Sequence, residues 1–186
     1  MKKLVYLIVV ACMCILLTGC GCMKKTARGA VEDFLDQYKN LSSSVIEDLD
    51  EVVDSEPDLT EEQKDKYRDI LKKQYSDLEY EILDENYDGD KAVVEAKIVV
   101  YDLYKVQEDA TVYLSENTDE FNDENGNYDN SKFLDYKLDQ MQKNTDTVEY
   151  TIEFNLTKDD NDTWQINELS EDDLEKIHGI YNYDNE

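Results

Sequence analysis

The stretch Glu149-Tyr150-Thr151-Ile152-Glu153-Phe154-Asn155-Leu156 alternates without a break, with Tyr150, Ile152, Phe154 and Leu156 on one side and Glu149, Thr151, Glu153 and Asn155 on the other. Successive side chains of a strand point to opposite faces, so this period of two describes a strand with one dry and one wet face, the pattern of an antiparallel sheet. Downstream, Lys158 to Asp162 reads as a turn, and Trp164, Ile166 and Leu169 mark a last strand. Ser170-Glu171-Asp172-Asp173 then caps a short closing helix that carries Leu174 and Ile177. Upstream, Leu134, Leu138 and Met141 recur at helical spacing within a helix from Ser131 to about Lys143.

A second alternating region lies earlier. Leu78, Tyr80 and Ile82 alternate with Glu79 and Glu81, and beyond the Asp88-Gly89-Asp90 turn a longer strand runs from Lys91 to about Tyr104, which makes a hairpin. From Val106 the spacing returns to three and four through Asp109, Ala110, Tyr113 and Leu114, so a helix is expected before the acidic stretch Asp119 to Asn130. Ahead of the hairpin, Ala27, Ala30, Val31, Phe34, Leu35, Tyr38 and Leu41 predict an amphipathic helix over residues 26–41. Val45, Leu49, Val52 and Val53 stripe a second, and Pro57 stops it. Thr60 with Gln63 forms a capping box that opens a third helix, with Tyr67, Ile70, Leu71, Gln74 and Tyr75 on one side. The expected fold class is α+β, an antiparallel sheet covered by helices, in one acidic domain of residues 26–186.

Charge restricts the partners. The 186 residues carry 46 acids against 19 Lys and Arg, a net charge of −27. Nucleic acid needs clustered cations that release its counterions, and here the cations are scattered among the acids, so no nucleic-acid role is expected. Anionic lipid is repelled as well, which leaves cationic ligands as the class that this surface does not oppose.

The amino terminus supplies a location. Lys2 and Lys3 precede an apolar run from Leu4 to Leu17, and the run ends in Leu17-Thr18-Gly19-Cys20. Such a run fits an export signal and is short for a permanent span. Cleavage by an ordinary signal peptidase near Gly19 or Gly21, or an uncleaved anchor, fits the residues less closely. The last four residues resemble the lipobox of bacterial lipoproteins, which implies a signal peptide of residues 1–19, a diacylglycerol on Cys20 as the lipidation site, and a linker over residues 20–25. The expected location is therefore the cell membrane, on its extracytoplasmic face, with two acyl chains supplying persistent attachment at about 0.8 kcal/mol per buried methylene. Cys12 and Cys14 would leave with the signal, so Cys22 is the one free thiol expected in the mature chain and no internal disulfide can form. Cys22 reads as a linker residue, with intermolecular pairing or a second acylation as the alternatives.

Chemistry-bearing motifs are few. Asp84-Glu85-Asn86-Tyr87-Asp88-Gly89 with Glu95 at the twelfth position satisfies the EF-hand calcium-loop pattern, but alternating strands flank it where helices are required, so a hairpin turn is expected instead. Asp123, Asn125, Asn127 and Asp129 form a second oxygen-rich stretch without a complete pattern, and no metal site is assigned. No catalytic residue is assigned either. The chain has one histidine, His178, in the last helical turn, where a satisfied or solvent-facing ring is expected. Tyr80, Tyr101, Tyr136 and Tyr150 fall at core-facing or near-core periods and read as packed rings with wet hydroxyls. No cofactor is expected.

The order of helices, hairpin, helical insertion and hairpin, with aromatic endings such as Tyr101-Asp102-Leu103-Tyr104, resembles the cone-shaped, cystatin-like domain of the nuclear transport factor two and ketosteroid isomerase superfamily over about Thr26 to Tyr183. That resemblance implies a curved antiparallel sheet whose concave face the helices cover. Lys176-Ile177-His178-Gly179-Ile180-Tyr181 resembles the carboxyl end of small lipoproteins of Gram-positive bacteria, which implies a place in the cell envelope and no chemistry. The functional expectation is a membrane-anchored, non-enzymatic binding module for a small molecule or an envelope protein. The alternatives are a cone-fold enzyme using an Asp/Tyr pocket and a calcium-responsive surface protein.

Overall fold

The computed structural model describes residues 26–185, so Cys20, Cys22 and the expected signal segment lie outside the described residues. The strands are β1 (Glu79–Asp88), β2 (Lys91–Tyr101), β3 (Thr147–Lys158) and β4 (Trp164–Ile166), and they hydrogen-bond antiparallel in chain order to give one four-stranded sheet. Register decides which residues are dry. Ala92, Val94, Ala96 and Ile98 stand opposite Leu156, Phe154, Ile152 and Tyr150, so the even positions of both strands build one apolar face. Phe154 and Ile152 are fully buried there, while Glu149, Thr151, Glu153 and Asn155 are exposed on the other face.

Helices α1 (Ala27–Lys39), α3 (Glu61–Ser76) and α6 (Glu171–His178) pack on the apolar face. Helix α2 (Ser43–Asp54) lies on α3, and α4 (Leu103–Glu116) and α5 (Asn130–Lys143) pair with each other, α5 also leaning on α3. All six α-helices among the described residues open on a Ser, Thr or Asp whose side chain accepts a backbone N–H of the first turn: Thr26, Ser42, Thr60, Asp102, Asp129 and Ser170. At Thr60 both halves of the capping box form, since the Thr60 amide donates to Gln63 Oε1 at 2.9 Å and the Gln63 amide donates to Thr60 Oγ1 at 3.3 Å. The freed Gln63 Nε2 donates to the Ser131 carbonyl at 3.0 Å and to Asp135 at 2.8 Å, which ties the start of α3 to that of α5. A smaller cluster of Ala110, Phe121 and Phe133 lies between α4 and α5, separate from the main core.

Three boundaries depart from the sequence expectations. Strand β2 stops at Tyr101 and not at Tyr104, because the Asp102 carboxylate accepts the Lys105 amide at 2.9 Å and starts α4 at Leu103. The acidic run from Asp84 to Asp88 is strand and not turn. It continues β1 past a bulge at Leu83, and the reversal falls at Gly89, whose φ of +60° suits a tight hairpin. Strand β4 ends at Ile166, and Leu169 packs against the core from the loop that follows. The stretch Asp119 to Asn130 is also ordered: a 3-10 turn spans Thr118–Phe121, Asn122 bridges Tyr128, and Asp129 caps α5.

Candidate functional site

At the end of the sheet where β1 begins and β2 finishes, the sequence brings five helix or strand ends and one loop together. The carboxyl ends of α1 and α3, the first residues of β1 and β3, and the last residues of β2 enclose a groove of about 590 Å³. Lys39, Asp77, Glu79, Tyr101, Thr145 and Thr147 line it with polar atoms, and Leu78, Val99 and Val100 add an apolar floor. Helix carboxyl ends carry partial negative charge, and Asp77 and Glu79 add two full negative charges against the one positive charge of Lys39, so the balance favours a hydrogen-bond donor or a cation as guest.

The groove is braced from behind. Gln74 on α3, almost wholly buried, accepts the Tyr101 amide at 3.0 Å and returns a longer bond of 3.4 Å from Nε2 to the Tyr101 carbonyl, so a side chain takes the place of a neighbouring strand at the end of β2. Gly179, at φ +71°, closes α6 against this bracket, and a Cβ there would sit 2.2 Å from the Tyr101 carbonyl oxygen. The Tyr101 hydroxyl donates to Asp77 at 2.8 Å and the Lys73 ammonium lies 4.2 Å from the centroid of its ring. The ring is therefore held at both its edge and its face.

Deeper in the core, Tyr75 bonds His178 Nδ1 at 2.8 Å, and the Tyr38 ring meets Tyr75 edge-on with centroids 5.1 Å apart. Burial pushes the His178 imidazole down to about 4, so the ring is neutral at pH 7, which agrees with the expectation of a satisfied histidine. Burial, aided by Glu51 and Glu47, raises the Asp48 carboxyl, and Asp48 in turn helps to raise the hydroxyls of Tyr38 and Tyr75. None of these four residues lines the groove at the sheet end.

The expected tyrosines take different places. Tyr80, Tyr101 and Tyr150 pack at the margin of the main core and Tyr136 in the α4–α5 cluster, stacked on Tyr113 at 4.8 Å. Asp84 and Glu95 face each other across β1 and β2, as hairpin strands require and an EF-hand forbids. Asp123 Oδ1 accepts the amides of Asn125 and Asn127 at 2.8 and 2.9 Å, and these bonds hold its carboxyl below the usual range. Among the described residues no group of three or more His, Cys, Asp or Glu is arranged to hold a metal ion, and no helix is long and apolar enough to cross a membrane. Lys39, Asp77, Thr145 and Thr147 were not anticipated. Their one sequence signal is position, just before or after an element end.

No protein-family model and no curated protein matches the chain. The fold belongs to the α+β class with a helix-covered antiparallel sheet. Among solved structures it is shared with YcdA of Bacillus subtilis subsp. subtilis str. 168, described as a candidate lipoprotein, at 16% identity and a TM-score of 0.50. The match covers 86% of this chain and 57% of that one, so the chain spans little more than half the length of its structural neighbour.

Proposed function

We propose that this chain is a membrane-anchored extracytoplasmic lipoprotein, attached through a diacylglycerol on Cys20, that works as a non-enzymatic binding module. The groove at the sheet end carries the binding part of the reading: about 590 Å³, acidic at its rim, apolar at its floor and braced by Gln74 and Gly179. A pre-formed concavity with few placed polar groups is the usual form of a small-molecule site. Its charge favours a small organic cation or a cationic side chain of an envelope protein. Leu17-Thr18-Gly19-Cys20 supports the anchor, and the likeness in fold to a candidate lipoprotein agrees with it. Helices α1, α3 and α6 cover one face of β1–β4, which a cone-shaped domain would require and other two-layer α+β folds share.

Two measurements test the two halves. Intact-mass analysis of the membrane fraction should find a chain that begins at Cys20 and carries a lipid adduct. A chain retaining residues 1–19 in the soluble fraction would overturn the anchor. Isothermal titration of the detergent-extracted protein with spermidine should show saturable binding that Asp77→Asn weakens, and equal binding by the variant would remove the groove from the account.

One observation favours a second reading. Burial raises the carboxyl of Asp48, which is partly exposed on α2, and Asp48 helps to raise the Tyr38 hydroxyl, so an Asp and a Tyr influence each other here, although a cone-fold enzyme would need the pair deep in an apolar pocket. That reading needs substrate access to Asp48, which solvent-exchange or labelling of its carboxyl at pH 5 would detect.

A further inference from the structure

Strand β1 is one border of the sheet. It pairs with β2 alone, and no backbone hydrogen bond reaches residues 79–88 from any other described segment. An open border of this kind presents a row of donors and acceptors to any extended chain, and at ~3.3 Å per residue a ten-residue strand offers roughly 33 Å of it. The opposite border, β4, is three residues long.

The side chains of β1 determine which chain can dock. Glu79, Glu81, Asp84, Glu85 and Asp88 make five of its ten residues acidic, and the strand contains no Lys or Arg. Leu83, the bulge residue, has no cross-strand partner and is 47% exposed; Tyr87, whose ring meets Trp164 edge-on at 5.5 Å and whose hydroxyl donates to Glu85 at 2.8 Å, still leaves 49% of its surface exposed on the same strand. Charge on a border strand normally guards against pairing. Here the guard has one sign. A second copy of this chain would bring acids against acids, at a cost on both sides of the new ladder, whereas a basic strand would meet opposite charges at the same positions.

We propose that the border of β1 takes up an extended basic segment of another protein as a fifth strand, with Leu83 and Tyr87 as apolar anchors and the five acids selecting for Lys or Arg. Main-chain hydrogen bonds supply affinity in such an addition, and side chains supply selectivity. The surface shares only Glu79 with the groove at the sheet end, so this inference extends the binding-module reading without depending on the groove or on the anchor.

The test uses the full chain in neutral detergent and three ten-residue peptides: alternating Lys and Thr, alternating Glu and Thr, and the Lys–Thr peptide with every second amide N-methylated. The Lys–Thr peptide should bind, and hydrogen exchange of amides within residues 79–88 should slow by about tenfold or more at saturation. The double variant E85K/D88K should weaken binding at least about tenfold with unchanged circular dichroism and melting temperature. Equal binding by the Glu–Thr peptide would overturn the charge selection. Equal binding by the methylated peptide would overturn strand addition. Protection confined to Thr145–Thr147 would overturn the border and leave the groove reading standing, and protection without peptide of the β1 amides that point away from β2 would overturn the open border, since another copy or another part of this chain would then hold it.

Discussion

The two faces of the sheet are made by the same strands, one residue apart, and obey different rules. On the inner face Ala92, Val94, Ala96, Ile98 and Val100 of β2 meet Ile152, Phe154 and Leu156 of β3 beneath α1, α3 and α6, and all eight are buried. On the outer face Asp84, Glu95 and Glu153 stand in one cross-strand row, three like charges side by side. The inner face is selected for volume and the outer one for charge, so substitutions at neighbouring positions should differ in size and even in sign. The largest contrast is Phe154→Ala against Glu153→Ala. Phe154 is fully buried and its ring meets Phe34 at 5.8 Å, so its truncation should cost about 3–5 kcal/mol in urea unfolding. Glu153→Ala should stay within about 0.5 kcal/mol of the parent. Comparable losses at both positions would mean that the outer face is covered.

Next in size is Gly179→Ala, which tests how the helices are fastened to the inner face. The added Cβ would meet the Tyr101 carbonyl oxygen at 2.2 Å and Gln74 Nε2 at 2.3 Å, in a backbone conformation that only glycine adopts without strain. A loss of about 2–3 kcal/mol is expected. Amide exchange should quicken at Tyr101, bonded to Gln74, and at Tyr104, bonded to the Gly179 carbonyl, with little change at Phe154.

The inner face was the readable one. The alternation of residues 149–156, the capping box at Thr60 and Gln63, and the Asp88-Gly89-Asp90 reversal each rest on local chemistry, and each stands in the fold where the sequence puts it. What local reading missed was decided by competition or by distance. Residues 102–104 carry strand-like aromatic and apolar character, yet the Asp102 side chain captures the Lys105 amide and turns them into a helix. Leu83 follows Ile82 directly and falls on the Glu79 and Glu81 side of the alternating run, and the bulge that takes it out of register is visible only in the pairing. The groove residues come from positions 39, 76–79, 99–101 and 145–147, and only the β1–β2–β3 register and the placement of α3 bring them together. Gln74 shows the division well, since its helical period put it on the core side and only the tertiary structure shows it bracketing Tyr101.

A smaller effect follows from pH. The half-buried His178 is held down at about 4 in the folded chain against its ordinary 6.5, so between those values the unfolded chain binds more protons. The stability that His178 contributes is complete above about pH 6.5 and is lost as pH falls toward 4. Asp48, Glu56 and Glu175, whose carboxyls burial raises, slope the other way. The clean measurement is therefore a difference. Between pH 7 and pH 5 the parent should lose on the order of 1 kcal/mol relative to His178→Gln, and parallel pH profiles would place the ring in solvent, contrary to its bond with Tyr75.

The smallest effect returns to the outer face and is expected to be a gain. Glu95 lies between Asp84 on one side and Glu153 on the other, and Lys97, two residues along the same strand, pairs with Glu81 at 3.6 Å and Glu149 at 3.9 Å. Replacing Glu95 by Thr removes two like-charge neighbours and adds a β-branched residue, so stability should rise by about 0.5 kcal/mol at low ionic strength. The gain should shrink by about half or more in 0.5 M salt, because exposed charges are screened over a few ångströms there. If Glu95→Thr instead destabilises the fold, the row of acids supports the sheet and its charge needs no partner. If it stabilises the fold, the acids are held at a cost to the folded chain. A cation-bearing partner that binds the native state would offset that cost, whereas solubility supplied by the charged face would leave the folded chain carrying it.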